Sequence, residues 1–138
     1  MRSILRAERE LYVRDTEKSR VFYVDLLGFD LLFERPEEGF LYLTREGAEL
    51  MLDALGTSRS WLAAEAEVPF GRGMSLQIWT ADVDTLYARV KDSDAPIFLE
   101  IEEKWYRRDD AYFGNRQFIV QDPGGYLLRF AQDIGQRG

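Results

Sequence analysis

Residues 114–130 read Gly-Asn-Arg-Gln-Phe-Ile-Val-Gln-Asp-Pro-Gly-Gly-Tyr-Leu-Leu-Arg-Phe. The stretch has the pattern of a hairpin. Polar and apolar residues alternate from Asn115 to Gln121, and Tyr126 to Phe130 forms the return strand. Between them, Asp122-Pro123-Gly124-Gly125 supplies turn chemistry, because proline fixes φ and glycine accepts positive φ. Alternation on the return strand sets Leu128 and Phe130 on one face, with Leu127, Arg129 and Ala131 on the other. An arginine on the second face of an otherwise apolar strand raises the question of what that face holds.

Elsewhere the chain repeats one pattern. A strand is expected over 10–13, and Asp15 has the character of a helix N-cap with Glu17 in the first turn. Val21, Phe22 and Leu26 recur at helical spacing, and Gly28 ends that helix. Strands over 29–35, 40–44 and 48–53 follow, joined by turns at 36–39 and at Glu46-Gly47. Residues 55–73 break the pattern as a linker carrying Trp61, with a short helix expected over 60–67. The pattern then restarts with a strand over 75–80. Asp82 is a second N-cap, and Val83, Leu86, Tyr87 and Val90 follow at helical spacing up to a stop at 93–96. A strand over 97–101, an aromatic connection over 104–113 and the hairpin strands 115–121 and 126–132 complete the set. The order β-α-β-β-β thus occurs twice. The expected fold is α+β: one domain, 1–138, built of a first module at about 4–54, the linker, and a second module at about 74–132.

Each strand has one uniformly apolar face. Leu11 with Val13, Leu50 with Leu52, Leu76 with Ile78, and Leu128 with Phe130 lie on the side that the two amphipathic helices cover. The other side carries Glu10 and Tyr12, Glu49, Met51 and Asp53, Ser75, Gln77 and Trp79, and Leu127 and Arg129. An antiparallel sheet can present such a mixed face to water. Tyr12, Met51, Trp79 and Leu127 suit water poorly, and a mixed aromatic and polar lining is what a ligand cavity needs.

Composition narrows the chemistry. The 138 residues include no cysteine and no histidine. Disulfides, thiolate nucleophiles, zinc-thiolate sites, Ser-His-Asp triads and facial-triad iron sites are therefore excluded in their usual forms. Hydrophobic content of 46% and 14% aromatics fit a globular chain. The net charge of −7 argues against a nucleic-acid partner, which calls for a basic patch. No apolar run approaches the roughly 20 residues of a membrane span, and the first residues lack a signal-peptide core, so the expected location is the cytoplasm, with no membrane partner.

The two β-α-β-β-β modules, the entry Val13-Arg14-Asp15, the helix end Tyr23-Val24-Asp25-Leu26-Leu27-Gly28-Phe29 and the hairpin 118–126 together resemble one family. It is the vicinal oxygen chelate superfamily of glyoxalase I, extradiol dioxygenases, fosfomycin-modifying enzymes and bleomycin resistance proteins, and the resemblance spans about 4–132. It implies a curled, incomplete barrel with the ligand in a cup. The superfamily's enzymes place metal ligands at four cup-facing positions, which the resemblance carries onto Glu8, Met51, Ser75 and Arg129. A slip of one or two residues offers Glu10, Glu49 or Gln77 instead. Of the four only Glu8 suits a metal; methionine is a soft ligand, serine a weak one and arginine a permanent cation, so no metal and no cofactor are expected.

The resemblance thus points to the metal-free bleomycin resistance type, whose members are small, acidic, dimeric and non-catalytic. It implies a homodimer whose partner is a small-molecule ligand. Flat side chains suited to such a ligand are Tyr12, Trp61, Trp79 and Trp105. Polar ones are Glu49, Gln77, Arg116 and Arg129, with Met51 among them. Arg116 and Arg129 either pair with cup carboxylates or receive an anionic group. Two alternatives stay open: a lyase or isomerase using oxygen-ligated magnesium or manganese or a carboxylate base such as Glu8 or Glu10, and a partner-binding module without a small ligand.

Overall fold

The computed structural model describes residues 8–57 and 60–138, so the expected start of the first module at residue 4 lies outside the described residues. The chain divides into two compact units, Met1–Ala66 and Glu67–Gly138. Each holds a four-stranded mixed sheet, and with few helices the fold is α+β.

In the first unit the strands are β1 (Arg9–Val13), β2 (Asp30–Arg35), β3 (Phe40–Arg45) and β4 (Ala48–Ala54), in the spatial order β1-β4-β3-β2. β1 runs parallel to β4, and the other pairs are antiparallel. A parallel pair needs a crossover, and the helical segment after β1 begins it. Asp15 caps that segment as expected, accepting from the backbone N–H of Glu17 at 3.0 Å and of Lys18 at 3.2 Å. Only Thr16–Arg20 is α-helical (α1); Val21–Leu26 winds as a π-helix. The wider turn changes which residues reach the sheet. Leu27 N–H donates to the carbonyl five residues back, Phe22, at 3.0 Å. Phe22, Tyr23 and Leu27 are buried, whereas Val21, expected inward, is exposed. They pack with Phe29 over Leu11, Val13, Leu41, Leu43, Leu50 and Leu52, all buried as the alternation requires. Burying each leucine side chain contributes about 2 kcal/mol.

The helix expected over 60–67 is not formed. Trp61 instead spends its backbone N–H on the Tyr12 hydroxyl, 3.0 Å away, which takes it out of any local helical ladder.

The second unit has β5 (Ser75–Trp79), α2 (Val83–Lys91), β6 (Ile97–Arg108), β7 (Ala111–Gln121) and β8 (Leu127–Arg137), in the spatial order β5-β8-β7-β6. Asp82 caps α2 through Thr85, whose N–H lies at 3.1 Å and hydroxyl at 2.7 Å. Val83, Leu86 and Val90 face inward onto Phe118, Val120, Leu128 and Phe130. Residues 104–113 are not a loose connection. They continue β6 into β7 through the turn Asp109-Asp110, with Arg108 paired to Ala111. Asp109 adopts φ +58°, a left-handed conformation that aspartate tolerates better than most residues.

The opening hairpin turns as its sequence dictates. Gly125 N–H donates to the Asp122 carbonyl at 2.9 Å, and Gly125 takes φ +104°. A Cβ there would lie 2.5 Å from that of Pro69, so only glycine fits. Phe70 N–H donates to the Gly124 carbonyl at 2.8 Å, which ties the segment before β5 to this turn.

Candidate functional site

The helix-free face of the first sheet is assembled by register. Glu10 pairs with Met51 and Tyr12 with Asp53. Met51 pairs with Tyr42 and Asp53 with Phe40, and these in turn face Phe33 and Arg35 of β2. Glu49 lies two residues before Met51 on the same face and is buried, accepting from the Tyr42 hydroxyl at 2.6 Å. Phe33 stacks on Tyr42, with centroids 5.0 Å apart, and the Arg35 guanidinium lies 3.9 Å from the Phe40 centroid. Tyr12 reaches Trp61 through that residue's backbone, and Trp61 as a whole is 70% exposed.

Asp53 is the anomaly of this face. It is only 8% exposed, and its Oδ1 is buried with no hydrogen-bond partner among the described residues. Burial pushes its carboxyl up from the ordinary aspartate value, the nearby Glu38 adds to the rise, and Arg35 partly offsets it. The folded state therefore holds this proton more tightly than the unfolded chain does. The stability that follows is fully present at low pH and is lost as pH rises through the raised folded value. Asp53→Asn replaces the carboxyl group near Glu38 and Arg35 with a neutral amide. It is expected to stabilise by about 1 kcal/mol at pH 7, a rise of about 3 °C in Tm, and to have no such effect at pH 3. Thermal scans of both proteins at the two pH values check this; an equal shift at both would contradict it.

The corresponding face of the second sheet is built the same way. β5 and β8 set Ser75 beside Leu127, Gln77 beside Arg129 and Trp79 beside Ala131. β7 adds Gln121, Ile119 and Gln117 opposite those β8 residues, and β6 adds Glu102 opposite Gln117. Gln117 is 2% exposed; its amide nitrogen donates to Glu102 at 2.9 Å and to the Tyr106 hydroxyl at 2.8 Å, and its Oε1 is buried without a partner. Arg129 makes one long contact, 3.5 Å to the same Tyr106 hydroxyl, and its Nε is buried and unbonded. Among the described residues no carboxylate lies within ion-pair distance of it. Gln77 and Trp79 are exposed beside it, Trp79 by 50%. The row Ser75, Leu127 and Gln121 opens onto a cavity of about 360 Å³, walled also by Phe70, Met74 and Phe98.

Two of the expected site residues lie on the other face. Arg116 points to α2, where it donates to Asp84 at 2.8 and 2.9 Å and pairs with Glu103 at 3.8 Å. Trp105 pairs with Gly114, in register with Glu103 and Arg116, and the Arg137 guanidinium covers its ring at 4.1 Å. Tyr12, Glu49 and Met51 come together on the first sheet, and Gln77, Trp79 and Arg129 on the second. Gln117, Tyr106, Glu102, Phe33 and Tyr42 belong to these faces and were not anticipated. Parity with Ile119 was the available signal for Gln117, because alternate residues of one strand share a face.

A family model described as the Glyoxalase/Bleomycin resistance protein/Dioxygenase superfamily matches residues 4–130. Among solved structures, TioX from Micromonospora sp. ML1 is 24% identical, with 93% of this chain and 99% of that one covered and a TM-score of 0.69. The integron cassette protein VCH_CASS1 from the mobile metagenome of V. cholerae is 19% identical over 96% of this chain and 98% of its own, also at a TM-score of 0.69. A glyoxalase/bleomycin resistance protein/dioxygenase superfamily member from Vibrio splendidus 12B01 is 41% identical over 90% of this chain and 95% of its own, with a TM-score of 0.43. No curated protein matches the chain.

Proposed function

Because the chain belongs to the Glyoxalase/Bleomycin resistance protein/Dioxygenase superfamily, we propose that it binds and sequesters a small aromatic molecule, of the bleomycin type or another aromatic antibiotic, without a metal and without converting it. The observation that carries this reading is the setting of Arg129. At a position where the superfamily's enzymes hold a metal, this chain puts a permanent cation that, among the described residues, has no carboxylate in direct ion-pair contact. Two further positions marked by the resemblance, each within its own sheet, are no better suited. Met51 offers a soft thioether between Glu10 and Tyr42, and Ser75 a neutral hydroxyl beside Leu127. Among the described residues no three carboxylates gather as a cation site. These donors do not fit a divalent ion. The half-exposed Trp79 beside Arg129 supplies a flat wall for a planar ligand. In this reading the protein acts as a homodimer in the cytoplasm.

A thermal-shift screen of bleomycin-type and other aromatic compounds tests it, with the protein treated with chelator or supplied with magnesium or manganese. Ligand at a hundredfold excess over Kd is expected to add about 2.7 kcal/mol, equally in all three conditions, and to be recovered chemically intact. Stabilisation that required the added metal would overturn the reading.

Asp53 favours one second reading, a lyase or isomerase that uses a buried carboxylate as base. Its isolation and upward shift are the features such a base requires. Recovery of altered ligand from the wild type, and of intact ligand from Asp53→Asn, would decide for it.

A further inference from the structure

From the second sheet we infer the chemical class of the ligand: an organic anion, a carboxylate or sulfonate, on a flat apolar body. The inference rests on the sequestration reading above and narrows it to aromatic compounds other than the cationic bleomycins. Arg129 is flanked on its own face by two surfaces of one kind. Toward the end of β5 lies Trp79, 50% exposed. Toward its start, one row of side chains away, lies the cavity of about 360 Å³ walled by Phe70, Met74, Phe98 and Leu127. Alternate residues on a strand stand about 6.6 Å apart, so a group on the guanidinium has apolar surface within reach on both sides. Phe98 is 65% and Met74 46% exposed, so both present apolar surface at the cavity wall.

Charge selects the ligand's polar end. In a chain of net charge −7, the other cations of this unit that lie near carboxylates are paired. Arg116 holds Asp84 and Glu103, Lys91 holds Glu100, and Arg72 holds Glu67. Among the described residues Arg129 has a phenol at 3.5 Å and a buried Nε that lacks an acceptor. A guanidinium presents parallel N–H donors that a carboxylate or sulfonate accepts two at a time. The ligand's anion then accepts from the terminal N–H groups of the guanidinium, which the single long contact to Tyr106 leaves largely unused. Gln77 beside the guanidinium and Gln121 beside the cavity give the rim hydrogen-bonding capacity without adding charge.

The test compares naphthalene-2-carboxylate, the neutral naphthalene-2-carboxamide and the cationic 2-naphthylmethylammonium by isothermal titration calorimetry. Wild type, Arg129→Gln, Arg129→Lys and Phe98→Ala are used, each checked for its fold by circular dichroism. The carboxylate is expected to bind at least about tenfold more tightly than either analogue, since a hydrogen bond to a charged group contributes that much or more. Arg129→Gln erases the difference. Arg129→Lys restores part of it, and Phe98→Ala weakens all three ligands alike. Equal binding of the three, or a preference that survives in Arg129→Gln, overturns the anion assignment and leaves metal-free sequestration standing. Failure of all three to bind overturns both.

Discussion

Phe118→Ala is expected to cost about 4 kcal/mol. At this chain length that is a fall of about 12 °C in Tm. The ring is fully buried between a helix and a sheet. It lies 5.1 Å from Tyr87 of α2 and stacks on Phe130 of β8 at 5.7 Å, so one side chain joins both layers of the second unit. Its removal leaves a cavity that the flanking strands cannot close, because Phe118 is paired to Phe130 and both are held in the ladder. Phe118→Leu keeps most of the volume and is expected to cost less than half as much. Chemical denaturation of the three proteins gives the order; a loss under about 1.5 kcal/mol for the alanine variant would mean that α2 collapses onto the sheet more freely than this packing implies.

Asp122→Ala is expected to cost about 3 kcal/mol. Its carboxylate is buried in the hairpin turn, where Oδ1 accepts from Gly124 N–H at 3.0 Å and from Tyr126 N–H at 2.8 Å. Alanine strands both donors in a place water does not reach. An asparagine side chain keeps an acceptor oxygen, so Asp122→Asn should retain more than half of the stability that alanine loses. The damage is expected to spread, since Gly124 also anchors Phe70, which walls the cavity beside Arg129. Affinity for an aromatic ligand should therefore fall in Asp122→Ala even where the protein remains folded. Amide exchange of Phe70, Gly124 and Tyr126 would report the local opening directly; protection unchanged at all three would contradict the assignment.

Local chemistry made much of this fold readable. The caps Asp15 and Asp82, the turn at Asp122 and the alternation of leucines each act over a few residues, so each leaves its mark in a short window. What the sequence concealed depended on a change of winding or on a partner strand. The π-helical turn moves burial from Val21 to Tyr23 and Leu27, and nothing in the spacing of Val21, Phe22 and Leu26 announces a wider turn. Residues 104–113 contain no glycine or proline, and their reversal rests on Asp109 at positive φ. Arg116 was legible, since it shares parity with Phe118 and so belongs to the helix side. Trp105 was not, because bulges between Ile97 and Glu102 and at Gly114 shift the register along β6 and β7. The candidate site around Arg129 on the second sheet was legible as an odd charge on an apolar strand. The orphaned oxygen of Asp53 was invisible, because isolation is a property of neighbours.

The long strand β6 has a consequence for association. It is an outer strand of its sheet among the described residues, and it runs for twelve residues, longer than any other strand here. An extended edge with unpaired N–H and C=O groups is a template onto which another chain can add. Along it stand Glu100, Glu102, Glu103, Lys104, Arg107 and Arg108. A copy docking edge to edge in antiparallel order would have to strip water from both sets of charges at once, and in many registers it would set like against like. The opposite edge, β5, is only five residues long. Both edges of this sheet are thereby guarded, one by charge and one by brevity, so copies of this chain that pair in solution are not expected to do so by extending the second sheet.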